Sequence, residues 1–113
     1  MNFFETLFLK EAERFIAELD SKVAKKIFFN IDIAERTNDP RLFKILKNDI
    51  WEFRMVYSGL QIRLLAFWDK SQSTHTLVIA THGFIKKQQK TLAREIERAE
   101  LIRKKYFESK NEK

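Results

Sequence analysis

Residues 50–57 and 61–69 dictate an antiparallel hairpin, and that hairpin sets two arginines against each other. In the first segment Trp51, Phe53, Met55 and Tyr57 alternate with Ile50, Glu52, Arg54 and Val56, the period of a strand with one buried face. The second is an apolar run interrupted by Arg63. Ser58-Gly59 suits a two-residue turn, which pairs Tyr57 with Leu60 and Arg54 with Arg63; a four-residue loop from Tyr57 to Leu60 keeps the same register. Like charges directly across an antiparallel pair are destabilising. The pair therefore predicts an anionic guest, and phosphate suits it because a guanidinium matches its oxygens with parallel hydrogen bonds.

The rest of the chain has to bury this hairpin. At 113 residues and 13.6 kDa it is long enough for one core, and 1–113 is expected to form a single domain. Eleven Phe and two Trp supply core volume, while two Gly and one Pro leave little room for long loops. No segment approaches the roughly 20 apolar residues that span a bilayer. The first residues, MNFFETLFLKEAERF, lack the basic region and small-residue cleavage site of a signal peptide. The absence of cysteine excludes disulfides, thiolate metal sites and cysteine nucleophiles, and a cytoplasmic protein is expected.

Alternation and spacing give the other elements. Asn2 to Phe8 is β-tolerant and can form a first strand. Ala12, Phe15, Ile16 and Leu19 have helical spacing over 9–19, and Asp20-Ser21 ends that helix and caps a second over 22–36. The short link makes the two a helical hairpin. Thr37 to Pro40 stops the second helix, with Asp39 capping a single turn. Strands at 50–57, 61–69 and 76–84, the last two joined by a loop from Lys70 to His75, form an antiparallel meander. Thr91 opens a final helix with Leu92, Ile96, Ala99, Ile102 and Tyr106 as its apolar stripe. The order (β)ααβββα is an α+β domain: one curved antiparallel sheet with helices packed on one side.

The net charge is +6 and unevenly spread: residues 1–40 carry −2, 41–85 carry +3 and 86–113 carry +5. That asymmetry suits a nucleic-acid partner, although a basic tail can also serve solubility alone. Lys86, Lys87 and Lys90 lie just before a helix N-terminus, where backbone N–H groups already favour anions. Lys47 is a further candidate. His82 falls opposite Arg63 if the second loop is Lys70 to His75, which would place an imidazole on the same phosphate; a structural histidine at a strand end is the plainer reading. Glu52 shares the Arg54 face and can act as a base or pair with a nearby cation. No H-x-H, D-x-D or H-E-x-x-H spacing is present, so no metal site is expected.

The blocks D-I-W-E-F-R (49–54), I-R (62–63) and H-G-F-I-K-K-x-x-K-T (82–91), with F-x-x-L-K (43–47) before them, resemble the phage-derived Gp49-like branch of the RelE/HigB toxin superfamily. The resemblance runs over nearly the whole chain. It implies a RelE-like fold, a toxin of a type II toxin–antitoxin system, and ribosome-associated cleavage of mRNA without a cofactor. It also implies a cognate antitoxin, usually a helix-turn-helix protein, and possible toxin–antitoxin hetero-oligomers. Such toxins place basic side chains on the sheet, and Arg54 and Arg63 occupy the matching positions. Lys86 or Lys87, Lys87 in preference, matches the basic residue after the last meander strand, with Lys47, Lys90 and Arg94 as RNA contacts. The tyrosine that follows in RelE has no counterpart among Gln88, Gln89, Lys90 and Thr91. Trp68 and Tyr57 are alternative stacking rings, though strand aromatics are usually core.

The chemistry such a cluster performs is attack of an RNA 2′-hydroxyl on its own phosphate, leaving a 2′,3′-cyclic phosphate and a free 5′-hydroxyl. Guanidiniums stabilise the phosphorane but cannot act as bases. A lysine crowded by other cations gives up its proton more readily and can. The rival expectation is a RelE/ParE-fold toxin or RNA-binding protein that acts by binding alone.

Overall fold

The computed structural model describes residues 2–71, 77–87 and 89–111, the side chains of 89–91 and 111 excepted. The elements in order are β1 (Glu5–Phe8), α1 (Lys10–Ala17), α2 (Ser21–Thr37), β2 (Phe43–Lys47), β3 (Ile50–Tyr57), β4 (Leu60–Asp69), β5 (Leu77–Ile85) and α3 (Gln89–Asn111). The strands form one sheet in the order β1-β5-β4-β3-β2. Strands β2 to β5 are the antiparallel meander, and β1 adds to β5 in parallel, Glu5 beside Leu77 and Phe8 beside Ala80.

The hairpin register is the expected one: Arg54 pairs with Arg63 and Tyr57 with Leu60. Ser58 and Gly59 both adopt positive φ, 49° and 80°, the twist that a two-residue hairpin turn requires. Asp20 caps α2 by accepting the Lys22 N–H at 2.8 Å. Asp39 caps the turn after α2 through the Arg41 N–H, also at 2.8 Å.

Three expectations are corrected. Residues 43–47 form β2, an edge strand the alternation did not reveal. Five residues with lysines at 44 and 47 carry a weak signal, and an irregularity between Ile45 and Lys47 breaks the period. Second, the helices do not share one side of the sheet. Phe4, Ile16, Ile27, Ile31, Phe43, Phe53 and Leu64 pack on the α1/α2 side. Ile50, Leu65, Phe67, Ile79, Ile96 and Ala99 pack on the α3 side. Strand β4 explains why: Ile62, Leu64 and Ala66 face one way, Leu65 and Phe67 the other, and an apolar run with both parities filled is covered on both faces. Third, α3 begins at Gln89, ahead of Thr91.

Two contacts fix the outer layers. Gly83 lets α1 approach β5, because a Cβ there would collide with the Phe15 ring and crowd Leu64. The fully buried Asp69, at the end of β4, accepts hydrogen bonds from Tyr106 at 2.6 Å and Lys110 at 2.8 Å, both on α3, and from Ser71. Burial alone would raise the Asp69 pKa; the hydrogen bonds from Lys110, Ser71 and Tyr106 outweigh it and hold it well below the usual range. Burial and the Asp69 charge together push the Tyr106 hydroxyl up. No helix of the described residues is long and apolar enough to cross a membrane.

Candidate functional site

Pairing and alternation place three rows of side chains on the α3 side of the sheet. Glu52, Leu65 and His82 form one, Arg54, Arg63 and Phe84 the next, and Val56, Gln61 and Lys86 the last. Helix α3 covers the first row, where Glu95 meets His82. Beyond it the face opens: Val56 is 61% exposed, Gln61 is exposed and the Arg54 side chain is 37% exposed. Lys86 is half-buried and Lys87, past the strand end, is exposed. With strands about 4.8 Å apart, the backbones of Arg54 and Phe84 are about 10 Å apart across β4, and that of Lys86, one row on, is about 12 Å from Arg54. One phosphodiester with its flanking sugars fits that span.

The two arginines are not left to repel each other. Glu52, buried one row down, places Oε1 3.3 Å from Arg54 Nε and 3.4 Å from Arg63 Nε. Its carboxylate is the anion that the sequence looked for outside the chain. Arg63 is itself only 3% exposed at its side chain. Its Nη1 donates to the Ile62 carbonyl and its Nη2 to the Gln61 Oε1, each at 3.1 Å, while Nε has no hydrogen-bond partner among the described residues. Burial lowers the Arg63 pKa, Glu52 opposes that, and Arg54 adds to it. Guanidinium nevertheless stays charged. A phosphate oxygen, at least as large as a water, does not reach this group as it stands. The two arginines thus differ: Arg54 is open and Arg63 is enclosed.

His82 lies opposite Leu65, not Arg63, for two reasons: pairing starts with Asp69 opposite Leu77, one residue later than a Lys70 to His75 loop gives, and a register shift between Leu65 and Ala66 leaves Thr81 without a partner and adds a second residue. The ring is buried. Its Nε2 is 2.9 Å from Glu95 Oε1 and its Nδ1 3.0 Å from Thr81 Oγ1. A neutral ring protonated at Nε2 donates to the carboxylate, and the single Thr81 hydroxyl proton is then shared between Nδ1 and the Leu65 carbonyl, 3.2 Å from Oγ1. Burial lowers the His82 pKa, against the opposing bond from Glu95, and Arg98 adds to the lowering. His82 therefore sits under α3, one row below the open face.

Lys47 and Arg94 are exposed but flank the face. Lys47 ends β2 opposite Ile50 and borders a groove of about 280 Å³ with Leu92, Ile96 and Glu97 of α3. The side chain of Lys90 and the whole of His75 lie outside the described residues. Trp68 packs in the α1/α2-side core, 5.4 Å from the Phe4 ring, and Tyr57 packs against the same core. Among the described residues no three His, Asp or Glu side chains gather as a metal site requires. Gln61 was missed in the sequence. Its signal was its position two residues before Arg63, which puts both on one face of β4.

The arrangement is a basic sheet end with one exposed guanidinium, two lysines and an amide, backed by a buried Glu–Arg pair. In a structural comparison the fold matches a chain of the toxin–antitoxin complex RelBE2 from Mycobacterium tuberculosis, with a TM-score of 0.57 and 20% identity. The match covers 74% of this chain and 98% of that one. No curated protein matches the sequence. The model of the family described as phage-derived protein Gp49-like matches residues 14–104. The chain therefore belongs to the Gp49-like family, and its fold is that of the RelE toxins.

Proposed function

We propose that the protein is the toxin of a type II toxin–antitoxin system and arrests growth by cutting mRNA on the ribosome in the cytoplasm. The observation that carries this is the open basic end of the sheet, where Arg54, Lys86 and Lys87 rise from strands or strand ends that bracket β4. Membership of the Gp49-like family and the fold shared with a toxin–antitoxin complex support the same reading.

In the proposed reaction the 2′-oxygen attacks the adjacent phosphorus and the bond from phosphorus to the 5′-oxygen breaks. The products are a 2′,3′-cyclic phosphate and a 5′-hydroxyl. Arg54 neutralises charge on the phosphorane oxygens. One of Lys86 and Lys87 accepts the 2′ proton and the other delivers a proton to the departing 5′-oxygen. A cognate antitoxin, of the kind that accompanies RelE-type toxins, holds the protein in check. Lys47, Arg94 and Lys90 contact ribosomal or messenger phosphates, which makes association salt-dependent.

A second reading gains from one observation. Arg63 is enclosed and paired with Glu52, so one of the expected phosphate ligands is spent inside the protein. That favours a chain which poisons its target by binding alone. Primer extension on mRNA after induced expression, wild type beside Arg54→Ala, separates the two. Discrete cuts within coding regions that vanish in the variant support the nuclease; intact messages in growth-arrested wild-type cells support binding alone.

A further inference from the structure

Gln61 stands in the middle of the open row, between Val56 and Lys86, and its backbone is fixed on both sides. It pairs with Val56 across the hairpin, and its carbonyl accepts the Lys86 N–H at 2.8 Å. Its side chain is fixed too. Gln61 Oε1 accepts from Arg63 Nη2 at 3.1 Å. A guanidinium carries donors only, so the amide must turn its oxygen toward Arg63 and its NH₂ away from it. Arg63 cannot rotate out of this contact freely, because Glu52 lies against its Nε and the Ile62 carbonyl takes its Nη1. A buried chain of contacts from Glu52 through Arg63 thus ends in two oriented N–H donors at the surface.

We infer that Gln61 is a substrate-contacting residue, donating to the phosphate that Arg54 and Lys86 attract, and that Arg63 is a positioning residue acting through it. The inference rests on the proposed RNA target. It assigns Arg63 a task that its enclosure permits. A neutral amide on this row also adds a hydrogen bond without adding to the crowding of cations. Pre-setting its rotamer removes an entropy cost that a free glutamine would incur on binding.

The test is binding of a labelled single-stranded RNA of mixed sequence, followed by anisotropy, together with thermal unfolding of each protein. Gln61→Glu keeps an acceptor for Arg63 and so keeps the fold, but turns an anion toward the phosphate. Its melting temperature should equal or exceed that of wild type, while RNA affinity falls about ten- to hundredfold. Gln61→Ala should weaken RNA binding by a smaller factor. Arg63→Lys preserves the charge beside Glu52 but loses the planar grip on the amide, so it should weaken RNA binding as Gln61→Ala does. Combined, the two should weaken it no more than the worse single change, the mark of residues acting in series. Wild-type affinity in folded Gln61→Glu would overturn the assignment of Gln61. Additive losses would overturn the positioning role of Arg63. A wild-type chain that binds no RNA would remove the RNA target itself, an outcome read before any variant is made.

Discussion

Glu52 and Arg63, both buried and carried by neighbouring strands, face each other at 3.4 Å between Oε1 and Nε. The contact turns a repulsive cross-strand arginine pair into a three-membered cluster with one net positive charge. Among the described residues Arg54 is the other cation at ion-pair distance from Glu52, and no second carboxylate comes that close to Arg63.

Glu52→Ala should therefore be among the most damaging single changes. It leaves the enclosed Arg63 without its counter-charge and restores the arginine repulsion. A loss of about 3–5 kcal/mol is expected for breaking such a pair. The urea midpoint should fall with little change in slope. A midpoint within error of wild type would mean the carboxylate is not what holds the pair.

Arg54→Ala should behave in the opposite way. The side chain is partly exposed and makes one ion contact, so stability should change by less than about 1 kcal/mol. Toxicity on induced expression should nonetheless be lost. Persisting growth arrest with a folded variant would move the anion-binding group elsewhere on the sheet.

Acid should loosen α3 through His82. The buried ring titrates below 6.5, so near and below that pH the unfolded chain takes up a proton that the folded chain resists. The contribution of His82 is fully present above pH 6.5 and is lost as pH falls through the folded value. Glu95, Arg98 and Glu11 face the same group and set how far it falls. Unfolding free energy measured from pH 7.5 to 5 should decline, and His82→Gln should flatten the decline. An unchanged slope in the variant would assign the acid sensitivity to other groups.

The far end of α3 depends on Asp69. Tyr106→Phe removes one of its donors and should cost about 1–2 kcal/mol. Amide hydrogen exchange should rise in the last turns of α3 and remain unaltered in β3 and β4. Uniform exchange across the molecule would show that the Asp69 contact stabilises the whole rather than the helix end.

Much of this was legible in the sequence because short turns leave little freedom. Ser58-Gly59 fixed the hairpin, and with it the Arg54/Arg63 pairing, since a two-residue loop admits one register. Both early helices followed from spacing and from the Asp20 cap. The His82 placement failed by two residues: β5 begins its pairing one residue late, at Leu77 opposite Asp69, and one unpaired residue, Thr81, moves everything beyond it one further along its neighbour. The enclosure of Arg63 was invisible for a different reason. Alternation says which side chains share a face, but not that Glu52 would be drawn under the arginines while Gln61 closed over one of them. Likewise the double parity of β4 was present in the sequence as an apolar run, and its meaning emerged only with α3 on the far side.

The parallel seam between β1 and β5 ties Glu5–Phe8 to residues 77–80, far along the chain. Until Leu77 to Ala80 leave the ribosome, the first strand has no neighbour, and the hydrophobic layer beneath α1 cannot close. The longest loop in the topology is thus closed last, which slows maturation relative to the local hairpins.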